Sequence, residues 1–148
     1  MKFKDFVAGA SFRAGPRAVG EQEIVEFARR YDPQPFHVDR QAAAATRWGG
    51  LIASGWMTCA IAMELAVGSV LAGSDSIGSP GVEELRWERP VRGGDRLALT
   101  VNVLDTRVSS AGSTGIVRWR WEMYNQRGER VLSMLATSLF DAGGPASA

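Results

Sequence analysis

The 148 residues contain one cysteine, Cys59, and one histidine, His37. A single thiol excludes an intrachain disulfide and fits a reducing compartment, with the cytoplasm as the expected location. Cys59 lies in the apolar run Met57-Thr58-Cys59-Ala60-Ile61, with no second thiol and no histidine beside it, so packing is its expected role. One histidine, with Asp32 and Asp39 as the nearby carboxylates, makes a poor ligand set, and no metal is expected. Neither sign of charge is in excess: Lys+Arg number 17 and Asp+Glu 16, a formal net charge of +1. That balance gives no electrostatic reason for a nucleic-acid or membrane-surface partner. The basic side is nearly all arginine, whose planar fork suits phosphate or carboxylate, although compositional bias accounts for it more simply. The opening Met1-Lys2-Phe3-Lys4-Asp5-Phe6 lacks the apolar core of a signal peptide.

The longest stretch poor in charge runs from Leu51 to Ala72 and carries only Glu64. Its length approaches that of a membrane span, but Ser54, Gly55, Thr58, Gly68 and Ser69 interrupt it and no long apolar partner follows. A core helix covered on nearly every side by sheet is expected, with Trp56, Cys59, Ala60, Met63, Val67 and Val70 along one face. Before it, the chain reads as helix and loop. Gly20-Glu21-Gln22-Glu23 opens a helix with Ile24, Phe27 and Ala28 at spacing three and four, which Pro33 and Pro35 must break. Asp39 is placed to cap a second short helix through Gln41-Ala42-Ala43-Ala44-Ala45.

After the long apolar segment, residues 73–81 are rich in glycine and serine and read as a loop. The period then becomes two. Leu85 and Trp87 alternate with Glu84, Arg86 and Glu88; Leu97, Leu99, Val101 and Val103 with Ala98, Thr100 and Asn102. Val117, Trp119, Trp121 and Met123 oppose Arg118, Arg120 and Glu122, the two tryptophans reading as core or interface. The turn Asn125-Gln126-Arg127-Gly128 leads to a last strand from about Val131 to Phe140. Helices first and consecutive strands after argue for an α+β fold with an antiparallel sheet. Residues 1–141 form one expected domain, and 142–148 an expected disordered tail.

His37 follows Asp32 by five residues, with Pro33 and Pro35 stiffening the backbone between them. A rigid turn can aim both side chains at one pocket, and an imidazole beside a carboxylate suits general acid–base work on a shared proton or water. An aspartate cap with a satisfied, partly exposed histidine is the structural alternative.

Asp32-x-x-Pro35-x-His37 resembles the Asp-x-Asn-Pro-x-His motif of MaoC-like dehydratases and (R)-specific enoyl-CoA hydratases. The resemblance continues in Gly50-Leu51-Ile52-Ala53-Ser54-Gly55-Trp56, similar to the stretch entering that family's central helix, and in Leu85 to Asp95, similar to its strand and Pro-Val-x-x-Gly-Asp turn. Three motifs in order, across roughly residues 15 to 141, imply the hotdog fold, an antiparallel sheet wrapped around one long helix. They also imply a lyase of fatty acid metabolism that adds water to a trans-2-enoyl thioester, with the CoA ester as the expected form, giving an (R)-3-hydroxyacyl thioester. Asp32 and His37 would hold and activate the water, and the Gly55 N–H would stabilise the enolate oxygen. Gln34, where the family most often has asparagine, and Ser54, where some members have histidine, would contact substrate, although Ser54 is equally suited to capping the helix. No cofactor is implied beyond the CoA of the substrate. The implied partners are an acyl-CoA or acyl-carrier thioester and a second copy of the chain, in a homodimer or higher homo-oligomer. Arg86, Arg89, Arg92 and Arg96 lie where CoA phosphates or a neighbouring subunit could meet them, without any one being singled out. Glu64 supports a rival, since hotdog thioesterases carry an acidic residue on the central helix. A non-catalytic acyl-thioester-binding subunit is the third possibility.

Overall fold

In the computed structural model, which describes residues 1–144, a 3-10 turn at Phe3–Asp5 precedes strand β1 (Ser11–Ala18). Helices α1 (Glu21–Tyr31), α2 (Pro35–Val38), α3 (Arg40–Ala44) and α4 (Gly55–Val67) follow, and then strands β2 (Ser76–Trp87), β3 (Arg96–Val108), β4 (Thr114–Tyr124) and β5 (Arg130–Asp141). The strands form one antiparallel sheet in the order β1-β3-β4-β5-β2. This is the hotdog arrangement of the α+β class.

Alternation sets the inner face of the sheet. Leu97, Leu99, Val101 and Val103 of β3 and Val117, Trp119, Trp121 and Met123 of β4 are all buried, while their neighbours face outward. Met57, Ile61, Ala62 and Ala66 of α4 press onto that face and share its core. Burying each large side chain there contributes roughly 1.5–3 kcal/mol before chain entropy is counted.

Three expectations are corrected. The central helix is shorter than Leu51–Ala72, because residues 51–54 are not helical and the helix ends at Val67, with turns after it. Nor is it covered on nearly every side: Trp56, Met63 and Val67 are 59%, 48% and 55% exposed, and of the face they share only Val70, beyond the helix, is fully buried. A helix apolar all round carries no periodic signal of its orientation. Finally, β1 was absent from the helix-and-loop reading, and β2 begins within the supposed loop of residues 73–81. Both are edge strands with register shifts, where glycine and proline are tolerated. Gly15 illustrates the reason: φ is +101°, and a β-carbon there would lie 2.8 Å from the Leu97 carbonyl oxygen.

The turn after β2 ties the loops together. Asp95, 5% exposed, accepts from the Arg92 N–H at 2.9 Å and from Gln126 Nε2 at 3.0 Å. The same turn receives the Ala53 N–H on the Val91 carbonyl at 2.8 Å, which fixes the approach to α4. Ala142 still donates to the Ser113 carbonyl at 3.0 Å; the rest of the expected tail, 145–148, lies outside the described residues. Among the described residues, no helix is long and apolar enough to cross a membrane.

Candidate active site

Helix α1 ends at Tyr31, and Asp32 closes it with its N–H on the Ala28 carbonyl at 2.8 Å. Pro33 prevents continuation, and Pro35 opens the single turn of α2, where its missing N–H is no loss. One turn later the ring of His37 faces back toward Asp32, with Nε2 3.2 Å from Oδ2. Asp39 caps α3 through N–H bonds from Gln41 and Ala42, both at 3.0 Å. These local rules bring the two side chains to one side of the chain.

The long-range contact comes from Ile52, whose carbonyl oxygen lies 2.6 Å from His37 Nδ1. A carbonyl only accepts, so Nδ1 donates to it, and Nε2 is the ring nitrogen turned toward Asp32. Burial would push the Asp32 carboxyl up, but hydrogen bonds from Gln34 and Ser54 and the adjacent imidazole outweigh it and hold the carboxyl below its ordinary value. The Gln34 amide is 2.7 Å from Asp32 Oδ1. Nε2 and Oδ2 therefore converge, 3.2 Å apart. A water seated beside both atoms can bond to each.

Ser54 is fully buried and caps α4, accepting from the Trp56 N–H at 3.3 Å. Gly55 is the first residue of the helix, and its N–H has no acceptor among the described residues. The helix dipole adds partial positive charge at that end. Glycine at this position has a packing reason. A β-carbon at Gly55 would lie 2.4 Å from Trp87 Cε2, because the indole packs on the glycine and donates from Nε1 to its carbonyl at 2.8 Å.

Asp32, Gln34, His37 and Gly55 line one cavity of about 370 Å³. Its remaining walls include Trp48, Thr58, Trp87 and Arg89, none of which was nominated from the sequence. Trp87 was visible only as the apolar half of an alternating strand, and nothing in the spacing marks that it turns onto Gly55. Of the four arginines considered, Arg89 reaches this cavity while pairing with Glu129 at 3.1 Å, and Arg92 donates to the Trp48 carbonyl at 2.5 Å. Glu64 is not part of the site. It pairs with Arg17 at 3.1 Å and lines a separate cleft with Glu23 and Phe27.

Comparison with known proteins follows the same lines. The MaoC-like domain model matches residues 5–120. The chain is 35% identical over 105 residues to the uncharacterized protein YdeM of Bacillus subtilis, covering 71% of this chain and 74% of that one. The crystal structure of a MaoC-like dehydratase from Rhodospirillum rubrum superposes with a TM-score of 0.86 at 38% identity, over 97% of both chains. R-hydratase PhaJ1 from Pseudomonas aeruginosa superposes with a TM-score of 0.74 at 25% identity, over 94% of this chain and 84% of that one. By fold, by motif and by family model, the chain belongs to the MaoC-like dehydratase family.

Proposed function

We propose that the protein is a hydro-lyase that adds water to a trans-2-enoyl thioester, most simply the CoA ester, to give the (R)-3-hydroxyacyl thioester. The observation that carries this reading is the convergence of His37 Nε2 and Asp32 Oδ2, 3.2 Å apart, on the wall of a cavity that also receives the start of α4. A water beside both atoms hydrogen-bonds to the pair and aims an oxygen lone pair into the cavity. Attack of that oxygen on Cβ moves the π electrons toward Cα and the thioester carbonyl. The acid–base pair takes one proton from the water and a proton returns from the same face to Cα, so that H and OH add across the double bond. The enolate oxygen takes the Gly55 N–H, where the helix dipole stabilises negative charge. The (R) configuration is supported by the name of the P. aeruginosa relative.

A second copy of the chain is the proposed partner. Strand β2 has a neighbour on one side only and is exposed on both faces, with Ile77, Val82 and Trp87 among its open apolar side chains. The open face of α4 lies on the same side of the sheet, with Trp56, Met63 and Val67. Two antiparallel β2 edges related by a twofold axis would satisfy the free backbone groups and cover both apolar strips.

The test is the loss of enoyl absorbance when crotonyl-CoA is mixed with the protein. Asp32→Ala and His37→Ala are each expected to lower kcat by about 10²–10⁴-fold, the usual contribution of a positioned acid or base. Full activity in both variants refutes the reading. Release of free thiol that is lost in Glu64→Gln would establish a thioesterase instead, and tight binding without turnover would establish a non-catalytic subunit.

A further inference from the structure

Helix α4 brings a second polar group to the candidate active site besides the Gly55 N–H. Thr58, three residues further on, lines the same cavity and is only 2% exposed. Among the described residues its hydroxyl has no hydrogen-bond partner. It is not sealed, however, for the sealed and unpartnered side-chain atom among them is Trp121 Nε1, so Thr58 Oγ1 opens onto the cavity it lines. A buried hydroxyl without a partner is costly, and native proteins usually meet such a group with a ligand or a water.

A threonine inside a helix commonly turns its hydroxyl back on the carbonyl four residues before it. For Thr58 that carbonyl belongs to Ser54, which already accepts the Met57 N–H at 2.9 Å and the Thr58 N–H at 3.2 Å. The hydroxyl does not join them. Side chains on a helix lean toward its N-terminus and cover the turn before their own Cα. Thr58 therefore leans over the turn that begins at Gly55, toward the positive end of the dipole. The helix rises about 4.5 Å between the two residues, and the lean brings hydroxyl and N–H closer than that along the axis.

One N–H is an incomplete cradle for the oxygen it would hold. A carbonyl oxygen has two lone pairs to satisfy, and an enolate oxygen carries charge as well. The next N–H of the helix, that of Trp56, is bonded to Ser54 Oγ at 3.3 Å. Other donors on the wall are engaged: Gln34 Nε2 with Asp32 Oδ1 at 2.7 Å, and Trp87 Nε1 with the Gly55 carbonyl at 2.8 Å. Trp48 and Arg89 enter from loops, away from α4. The free donor next to Gly55 on its own helix is Thr58.

We infer that the Thr58 hydroxyl is the second donor to the thioester oxygen, beside the Gly55 N–H, and that its bond strengthens as the enolate forms. Thr58 is then a catalytic residue of the hydration. This inference rests on the enoyl-thioester reading of the site.

Thr58→Val keeps the side-chain shape and removes the hydroxyl. With crotonyl-CoA it should lower kcat about 10²-fold and leave KM nearly unchanged, because the bond is strongest in the transition state. Thr58→Ser, which keeps an O–H and loses the methyl, should retain most of the wild-type rate. Thr58→Ala carries the same expectation as valine and suits a helix better, should valine disturb folding. The oxygen can also be watched without turnover. Butyryl-CoA labelled with carbon-13 at the thioester carbon has no double bond to hydrate, and its carbonyl stretch falls in frequency as donors bond to the oxygen. The infrared band should move down on binding to the wild-type protein, less far in Thr58→Val, and about as far as wild type in Thr58→Ser. A wild-type band that stays in place overturns the inference, as does a band that moves equally far in Thr58→Val. Full kcat in Thr58→Val, or a loss confined to KM, overturns it too. Equal losses in the valine and serine variants would assign the role to packing of the methyl and overturn it as well. If crotonyl-CoA is hydrated and neither rate nor band responds to Thr58, only this inference falls. If crotonyl-CoA is untouched while the band responds to Thr58, the donor stands and the hydration reading falls.

Discussion

Replacing Gly55 with alanine separates what the glycine does for packing from what its N–H does for chemistry. The added β-carbon would meet Trp87 at 2.4 Å from Cε2 and 2.7 Å from both Cδ2 and Nε1, closer than real contacts allow. Either the α4 backbone or the indole must move. Trp87 is 44% exposed on an edge strand, so it yields first, giving up its 2.8 Å hydrogen bond to the Gly55 carbonyl and its edge-to-face contact with Trp56 at 5.1 Å. The hydrogen bond is worth about 0.5–1.5 kcal/mol, and the aromatic pair adds about 0.5–1.5 kcal/mol. Alanine returns up to about 1 kcal/mol through its better helix propensity. The net loss of stability is therefore about 1–2 kcal/mol, a drop in Tm of several degrees for a chain of this size. Activity should suffer more, because Trp87 is a wall of the cavity and the N–H it packs beside is the proposed oxyanion donor. A fall in kcat/KM of at least tenfold is expected, read with crotonyl-CoA beside thermal unfolding. The decisive comparison is the same substitution in a Trp87→Ala background, where no indole remains to be displaced. There Gly55→Ala should cost nothing in stability or slightly stabilise. An equal loss in both backgrounds would refute the steric explanation and place the strain in the backbone of α4.

Because Asp32 is held below its ordinary carboxyl value, it stays ionised as pH falls past about 3.9. Its contribution to stability is full above that value and is lost only as pH falls through the lower, folded-state one. Gln34→Ala should move the Asp32 titration upward, measured by carbon NMR of the carboxyl. Asp95→Ala leaves the Arg92 N–H and Gln126 amide without their acceptor and should cost about 2–3 kcal/mol. A lower urea midpoint with unchanged slope would confirm it. Ile77→Lys combined with Val82→Lys places two charges on the open β2 strand and should yield a monomer by analytical ultracentrifugation. A dimer that survives both lysines would mean the copies meet elsewhere.

Where the chain follows local rules, the sequence is a good guide. Glu23 at the start of α1, Pro35 at the start of α2 and Asp39 at the cap of α3 act through bonds to residues two to four away, and such signals are legible in one dimension. The inward sets of β3 and β4 are equally plain, since one face is wholly buried. The orientation of α4 was not legible, because apolar residues on all sides give no preferred direction. Edge strands escaped for a related reason: β2 is exposed on both faces, so burial imposes no alternation on Ser76–Glu83. At the site, the spacing of Asp32 and His37 foretold their meeting. The Ile52 carbonyl that selects the histidine tautomer, and the indole of Trp87, approach from distant segments by their backbone or by sheet twist. Neither leaves a mark in residue type.

The bond from His37 Nδ1 to the Ile52 carbonyl joins the two halves of the reacting geometry through main chain alone. Only residues 53 and 54 separate that carbonyl from the Gly55 N–H, so the proposed base and the proposed oxyanion donor sit on a single short bracket. Nothing on that bracket reaches the last turns of α4 or the first residues of β2. Exchanges at Met63 or Val67 are therefore expected to leave the reacting geometry undisturbed. A scaffold divided in this way can change at one end of its central helix while the other end is held.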